Sequence, residues 1–196
     1  MKTIIVEGGD RLGKNSLIKS LCEYYNYDNI TVRHFGKPPK NIKDPLLYQS
    51  KCFLKEANLL NQIRDLEKDD YSYFENIVIY NRFIYGEYVY GQMFRDENKE
   101  ELINYLYGFE QRHLMNENTF LILLTADPEF FLSKEDGQSF SKNLDQKTKE
   151  LKLFNEIFDQ SILTKMKLKV NLDDQYVPKS YVLSSVIDFL KYKNTL

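Results

Sequence analysis

The sequence predicts an α/β fold of three layers: a five-stranded parallel sheet with helices on both faces and a small lid. Three observations carry that prediction. Short β-branched runs alternate with amphipathic stretches along the chain, as strand–helix–strand crossovers require. The first of these runs leads directly into a glycine-rich segment, a lysine and a helical pattern. A length of 196 residues, with 42% hydrophobic and 29% charged content, suits one domain with a sizeable core, so residues 1–196 are expected to form a single unit.

The first strand, residues 3–6, contains the apolar run Ile4-Ile5-Val6 of a strand buried on both faces. It is followed by Gly8-Gly9-Asp10-Arg11-Leu12-Gly13-Lys14-Asn15, which nearly completes the phosphate-binding P-loop pattern G-x-x-x-x-G-K-[ST]. The sandwich is therefore expected to be of the P-loop NTPase type. Gly8, Gly9 and Gly13 let the backbone curl so that its N–H groups, that of Leu12 among them, converge on an anion. Lys14 and the positive end of the next helix attract the same charge. That helix, residues 14–25, has an inward stripe of Leu17, Ile18, Leu21 and Cys22. The pattern points to ATP and Mg²⁺, but the hydroxyl expected after the lysine is replaced by Asn15, with Ser16 one residue late. An amide oxygen is the weaker magnesium ligand.

The second strand, residues 30–34, runs into His34-Phe35-Gly36-Lys37-Pro38-Pro39. The prolines stiffen an extended loop; Phe35 either stacks on a flat base or packs in the core, and Lys37 is a candidate phosphate contact. A helix over 44–68 and a third strand over 77–80 follow, then Asn81-Arg82-Phe83 and a helix over 85–94. Arg82, at the carboxyl end of a parallel strand, can clamp a phosphate through its forked guanidinium. Tyr85 and Glu87, with Tyr88 and Tyr90, form a polar-aromatic group suited to sugar hydroxyls and a base; an aromatic core helix is the alternative for Tyr88 and Tyr90. A helix over 99–116, a fourth strand over 120–125 and a helix over 128–134 come next. The polar segment of residues 133–143 is expected to be a mobile lid whose Lys134 and Lys142 face phosphates. Helices over 143–165 and 178–191 flank a fifth strand over 168–171, and the loop Asp173-Asp174-Gln175-Tyr176 is placed to border the adenine.

The net charge of −2 gives no sign of a nucleic-acid partner. No apolar run approaches the roughly 20 residues of a membrane span, and Met1-Lys2-Thr3 enters a strand rather than a signal peptide, so a cytoplasmic protein with no membrane partner is expected. Cys22 and Cys52 lack metal-ligand spacing and read as buried apolar groups.

The run Val6 to Lys14 resembles the EGxDRxGK opening of thymidylate kinases, and Asn81-Arg82-Phe83 falls where that family has an aspartate–arginine pair followed by an aromatic. The Asp127-Pro128 turn, the 134–141 segment and Phe154-Asn155-Glu156-Ile157-Phe158 extend the resemblance over nearly the whole chain, toward small members many of which bacteriophages encode. It implies transfer of a phosphoryl group from ATP to dTMP or a similar pyrimidine deoxynucleotide, in the host cytoplasm for a phage protein. Lys14 and the loop amides would bind ATP, Arg11 and Arg82 the acceptor or transferring phosphate, and lid cations would close over the reaction. The chain departs from that pattern at Asn15 and at Asn81, where an aspartate is usual. Magnesium then depends on Asn15 and Asn81, with Glu7 and Asp10 nearby. A DNA-modification kinase acting on a hydroxymethylpyrimidine, with DNA as partner, and a nucleotide-binding protein without turnover are the alternatives. A homodimer is left open.

Overall fold

The computed structural model describes residues 1–26, 29–39, 41–69, 76–115 and 118–192. Its sheet is five-stranded and wholly parallel: β1 (Lys2–Glu7), β2 (Ile30–His34), β3 (Ile77–Asn81), β4 (Thr119–Thr125) and β5 (Thr164–Lys169), in the order β2-β3-β1-β4-β5. The two-residue period of a strand divides its side chains between two cores. Ile5, Val78, Tyr80, Leu121 and Leu123 meet α2 (Pro45–Asp69), α3 (Tyr85–Phe94), α4 (Lys99–Phe109) and the inner end of α6 (Leu144–Gln160). Ile4, Ile79, Phe120, Ile122 and Leu124 meet α1 (Lys14–Tyr24), α5 (Pro128–Ser133) and α7 (Lys179–Tyr192). This gives the expected sandwich, with the carboxyl ends of β1, β3 and β4 at one rim.

Local chemistry sets the boundaries. Asp44 stands just before α2, its Oδ1 accepting from the Leu47 N–H at 2.9 Å, and Pro45 takes the first helical position, where its missing N–H costs nothing. The side chain of Asn98 caps α4 by accepting from the N–H groups of Glu100 and Glu101.

Three sequence boundaries are corrected. The last helix-to-strand junction falls earlier than periodicity suggests: α6 stops at Gln160 and β5 begins at Thr164. Ser161 turns the chain to an extended conformation, and Lys165 Nζ donates back to the carbonyls of Phe158, Asp159 and Ser161 at 2.8, 2.8 and 2.7 Å. The lysine thereby satisfies the helix end rather than extending it. Asn171 does not end β5 but pairs in a short hairpin, β6 (Asn171–Leu172) with β7 (Gln175–Tyr176). Beyond Phe109, α4 widens into one π-helical turn, Glu110–Leu114. There the fully buried Glu110 carboxylate accepts from Tyr85 Oη and Ser161 Oγ, both at 2.6 Å, and from the Ile162 N–H at 2.9 Å. Asn116, the predicted end of that helix, lies outside the described residues. Among those described, no helix is long and apolar enough to cross a membrane.

Candidate active site

The loop between β1 and α1 needs its glycines. Gly8 has φ 131°, and a β-carbon there would collide with the Leu124 carbonyl oxygen; Gly13, at the N-terminus of α1, has φ 90°. Gly9 has no room for a side chain either, because Phe131 of α5 and Glu150 of α6 press against it. Lys14 is 5% exposed and donates from Nζ to the carbonyls of Gly8 and Gly9, 2.6 Å each. Burial pulls its pKa down, while the charges of Glu7 and Glu150 oppose the shift.

Above this loop opens a cavity of about 760 Å³ lined by Asp10 to Leu17, by Asn81 and Arg82 at the end of β3, by His34, Gly36 and Lys37 at the end of β2, and by Asp136, Gln138, Ser139 and Phe140 of the segment expected to form the lid. Tyr176, Val177, Lys179 and Val182 form its far wall, so the hairpin that the sequence set beside the adenine does border the cavity. Tyr176 Oη donates to the Arg11 carbonyl at 2.5 Å, tying that hairpin to the loop. A second cleft of about 40 Å³ adjoins it, sharing Gly36, Lys37, Arg82 and Phe140 and lined further by Phe35, Gln49, Glu87, Tyr90 and Arg95.

Each arginine of the rim is met by an acid. Arg82, in a left-handed conformation with φ 65°, pairs with Asp10, and its backbone N–H donates to Val6 O at 3.0 Å. Arg11, with φ 67°, pairs with Asp136 of the lid. Backbone strain of this sort gathers at functional sites. Glu7 is buried beneath the rim, where its Oε1 accepts the Phe83 N–H at 2.6 Å. Burial pushes its carboxyl up, opposed by that hydrogen bond and by the charges of Lys14 and Arg82.

The two asparagines touch: Asn81 Nδ2 donates to Asn15 Oδ1 at 2.5 Å. Asn81 Oδ1 and Glu7 Oε2 are buried without a hydrogen-bond partner, and Ser16 faces the cavity. These are oxygen donors, as Mg²⁺ prefers, and the orphaned Asn81 oxygen is the one that fits the ion. Among the described residues, no three His, Cys, Asp or Glu side chains are grouped to hold a metal. Magnesium in nucleotide sites needs only one or two protein ligands beside phosphate oxygens.

Several expected site residues stand elsewhere. Tyr85 is 1% exposed and points into the core to Glu110, because the helix face that meets the cleft carries Gly86, Glu87 and Tyr90 instead. Lys134 does not face the cavity: its Nζ lies over the rings of Phe130 and Tyr176, 4.6 and 5.4 Å from their centroids. Lys142 is exposed beside the start of α6, outside the cavity lining. The buried cation beside the 133–143 segment is Lys147 of α6, bonded to Glu135 Oε2 at 2.6 Å. Phe35 packs in the core against Phe53 and Phe83, ring centroids 5.2 Å apart in each case, and also lines the smaller cleft. Glu87 also lines that cleft, paired with Arg95; burial pushes its carboxyl up to about 7 against the pull of Arg95. Sequence reasoning missed Arg95, Gln49 and Glu150. The four-residue spacing from Gly86 to Tyr90 was the available signal for the cleft-facing side of α3.

No model of a known protein family matches the sequence, and no curated protein does. Solved structures do. The chain aligns with the YorR protein of Bacillus subtilis, whose crystal structure contains phosphorylated GDP, at TM-score 0.67 and 16% identity over 100% of this chain and 99% of that one. It aligns with thymidylate kinase from Candida albicans, described as having broad substrate specificity, at TM-score 0.61 and 18% identity over 98% of this chain and 92% of that one. At these identities the likeness is one of fold: over almost its full length this chain shares the fold of these two proteins.

Proposed function

We propose that the protein transfers a phosphoryl group from ATP to a nucleotide, with a pyrimidine deoxynucleoside monophosphate such as dTMP as the favoured acceptor. The observation that carries this reading is one continuous rim: the phosphate loop and Lys14 at one end, Arg82 and Lys37 where the large cavity meets the aromatic cleft beneath Phe35. ATP suits the large cavity, with its phosphates on the loop N–H groups and its base toward Tyr176 and Val177. The acceptor phosphate falls near Arg82, where the two spaces meet; at about 40 Å³ the cleft would have to widen beside Phe35 and Tyr90 to admit a base.

In such a reaction an acceptor phosphate oxygen attacks the γ-phosphorus while the bond to the β–γ bridging oxygen breaks. The attacking oxygen is already anionic, so no general base is needed, and the protein works by positioning and charge. Lys14 exchanges the Gly8 and Gly9 carbonyls for phosphate oxygens. Arg82 and Arg11 leave Asp10 and Asp136 for the transferring group, where guanidinium forks neutralise developing charge. The lid excludes water and so spares ATP from hydrolysis. Asn81, Asn15 and Ser16 would hold Mg²⁺, which supplies charge neutralisation of the terminal phosphates.

One observation favours a second reading, nucleotide binding without turnover: the amide of Asn81 occupies the Asn15 oxygen that the metal would use. An ADP-release assay over nucleosides, nucleoside monophosphates and DNA separates the two. Turnover with a deoxynucleoside monophosphate is expected; ATP binding with no turnover on any acceptor would establish the second reading instead.

A further inference from the structure

Helix α6 touches the 133–143 segment, the loop after β1 and helix α3. Near its N-terminus Lys147 grips Glu135 of the lid, and one turn on, Glu150 stands behind the phosphate loop. Glu150 Oε1 lies 3.0 Å from where a β-carbon on Gly9 would stand, and it accepts a hydrogen bond from Tyr90 Oη of α3 at 3.0 Å. Tyr90 lines the smaller cleft, and its ring lies 5.1 Å from that of Phe140 in the lid.

We propose that Glu150 is a positioning residue that couples the acceptor cleft to the phosphate loop, joining Tyr90 on one side to Gly9 on the other. Glu150 is 2% exposed, and a carboxylate taken out of water is costly unless it is partnered. What the carboxylate supplies is a connection. An acceptor seated against the cleft wall that Tyr90 forms fixes the Tyr90 hydroxyl, which fixes Glu150 and with it the loop that receives ATP. Such coupling is reciprocal: ATP on the loop orders the acceptor helix by the same amount.

The inference rests on the phosphotransfer reading, and its test separates the two. A non-hydrolysable ATP analogue is titrated into wild type, Tyr90→Phe and Glu150→Gln, with and without saturating dTMP, and amide hydrogen exchange of α3 is followed in the same samples. In wild type dTMP is expected to tighten the analogue about 5- to 10-fold, and the analogue alone slows exchange around Tyr90. Both variants should bind the analogue within about 3-fold of wild type while losing the dTMP effect and the α3 protection, and the double variant should be no worse than either single one. Protection of α3 that persists in Tyr90→Phe, or that is absent from wild type with the analogue bound, overturns the inference. Failure of wild type to bind the analogue at all would overturn the phosphotransfer reading itself. The exchange measurement needs no acceptor, and Tyr90→Phe keeps the test available where Glu150→Gln does not fold.

Discussion

Glu135→Gln should unfold the protein more easily than any other change in the lid. The Glu135 carboxylate accepts from Lys147 Nζ at 2.6 Å, from the Gly137 N–H at 2.9 Å and from the Ser139 N–H at 3.3 Å. Burial alone would raise its pKa, yet these bonds hold it down to about 2 from 4.5. That difference corresponds to about 3 kcal/mol, and solvent screening at the carboxylate reduces it to about 2 kcal/mol. Lys147 has no such access to water, being 0% exposed beneath the face of Phe131. Removing one partner of a buried pair costs about 3–5 kcal/mol because the other charge is stranded. The expected loss is therefore about 2–4 kcal/mol, or roughly 5–15 °C in Tm for a chain of this size. The sign with pH follows from the lowered pKa: the contribution of Glu135 is complete above about 4.5 and fades as pH falls toward 2. Thermal denaturation followed by circular dichroism at pH 7 and at pH 3 should show the gap between wild type and variant narrowing in acid. The double change Glu135→Gln with Lys147→Met removes both charges and should recover most of the loss. A Gln variant within about 1 °C of wild type at pH 7, or a double variant worse than the single, would refute the argument.

Four further outcomes are expected. Lys14→Ala should abolish the rise in Tm that ATP with Mg²⁺ gives wild type, since a ligand that binds only the folded state stabilises it; an intact shift would remove Lys14 from the phosphate site. Arg82→Ala should leave ATP affinity nearly unchanged while turnover falls by about two orders of magnitude or more, as steady-state kinetics beside equilibrium titration will show. The pair Asn15→Ser and Asn81→Asp should lower the Mg²⁺ concentration needed for half-maximal turnover, jointly more than either alone; an unchanged requirement would mean that these side chains do not hold the ion. Tyr85→Phe should cost about 1–3 kcal/mol by leaving Glu110 short of a donor, with KM for the acceptor unaffected, and a raised KM would return Tyr85 to the cleft.

What could be read from the sequence is what neighbours in the chain determine. The phosphate loop is local: strand, glycines, lysine and helix follow one another, and the structure sets Gly8 and Gly13 in backbone conformations that favour glycine. The buried strands β1, β3 and β4 are long apolar runs and stood out for that reason. The missed features depend on contacts that only the folded chain makes. Lys165 looks like a helical residue until Phe158 and Asp159 present their free carbonyls to it. Lys134 looks like a phosphate ligand until Phe130 and Tyr176 offer it aromatic faces. Glu150 has no distinguishing neighbour in sequence, and its place behind Gly9 appears only when α6 packs onto the loop.

The lysines of β5 bear on how copies of this chain can meet. Lys165, Lys167 and Lys169 alternate with Met166 and Leu168 on an edge strand, so one face of the last strand is a row of ammonium groups. The first reaches back to the end of α6, while the others pair with Asp159 and Asp127. A foreign strand laid against β5 would continue the hydrogen-bond ladder but find charge where the sheet's interior supplies apolar side chains. Lysine on an edge strand discourages edge-to-edge growth. The sheet is thus closed to extension on its β5 side, a safeguard against aggregation that leaves self-association to the helical faces or to the β2 edge.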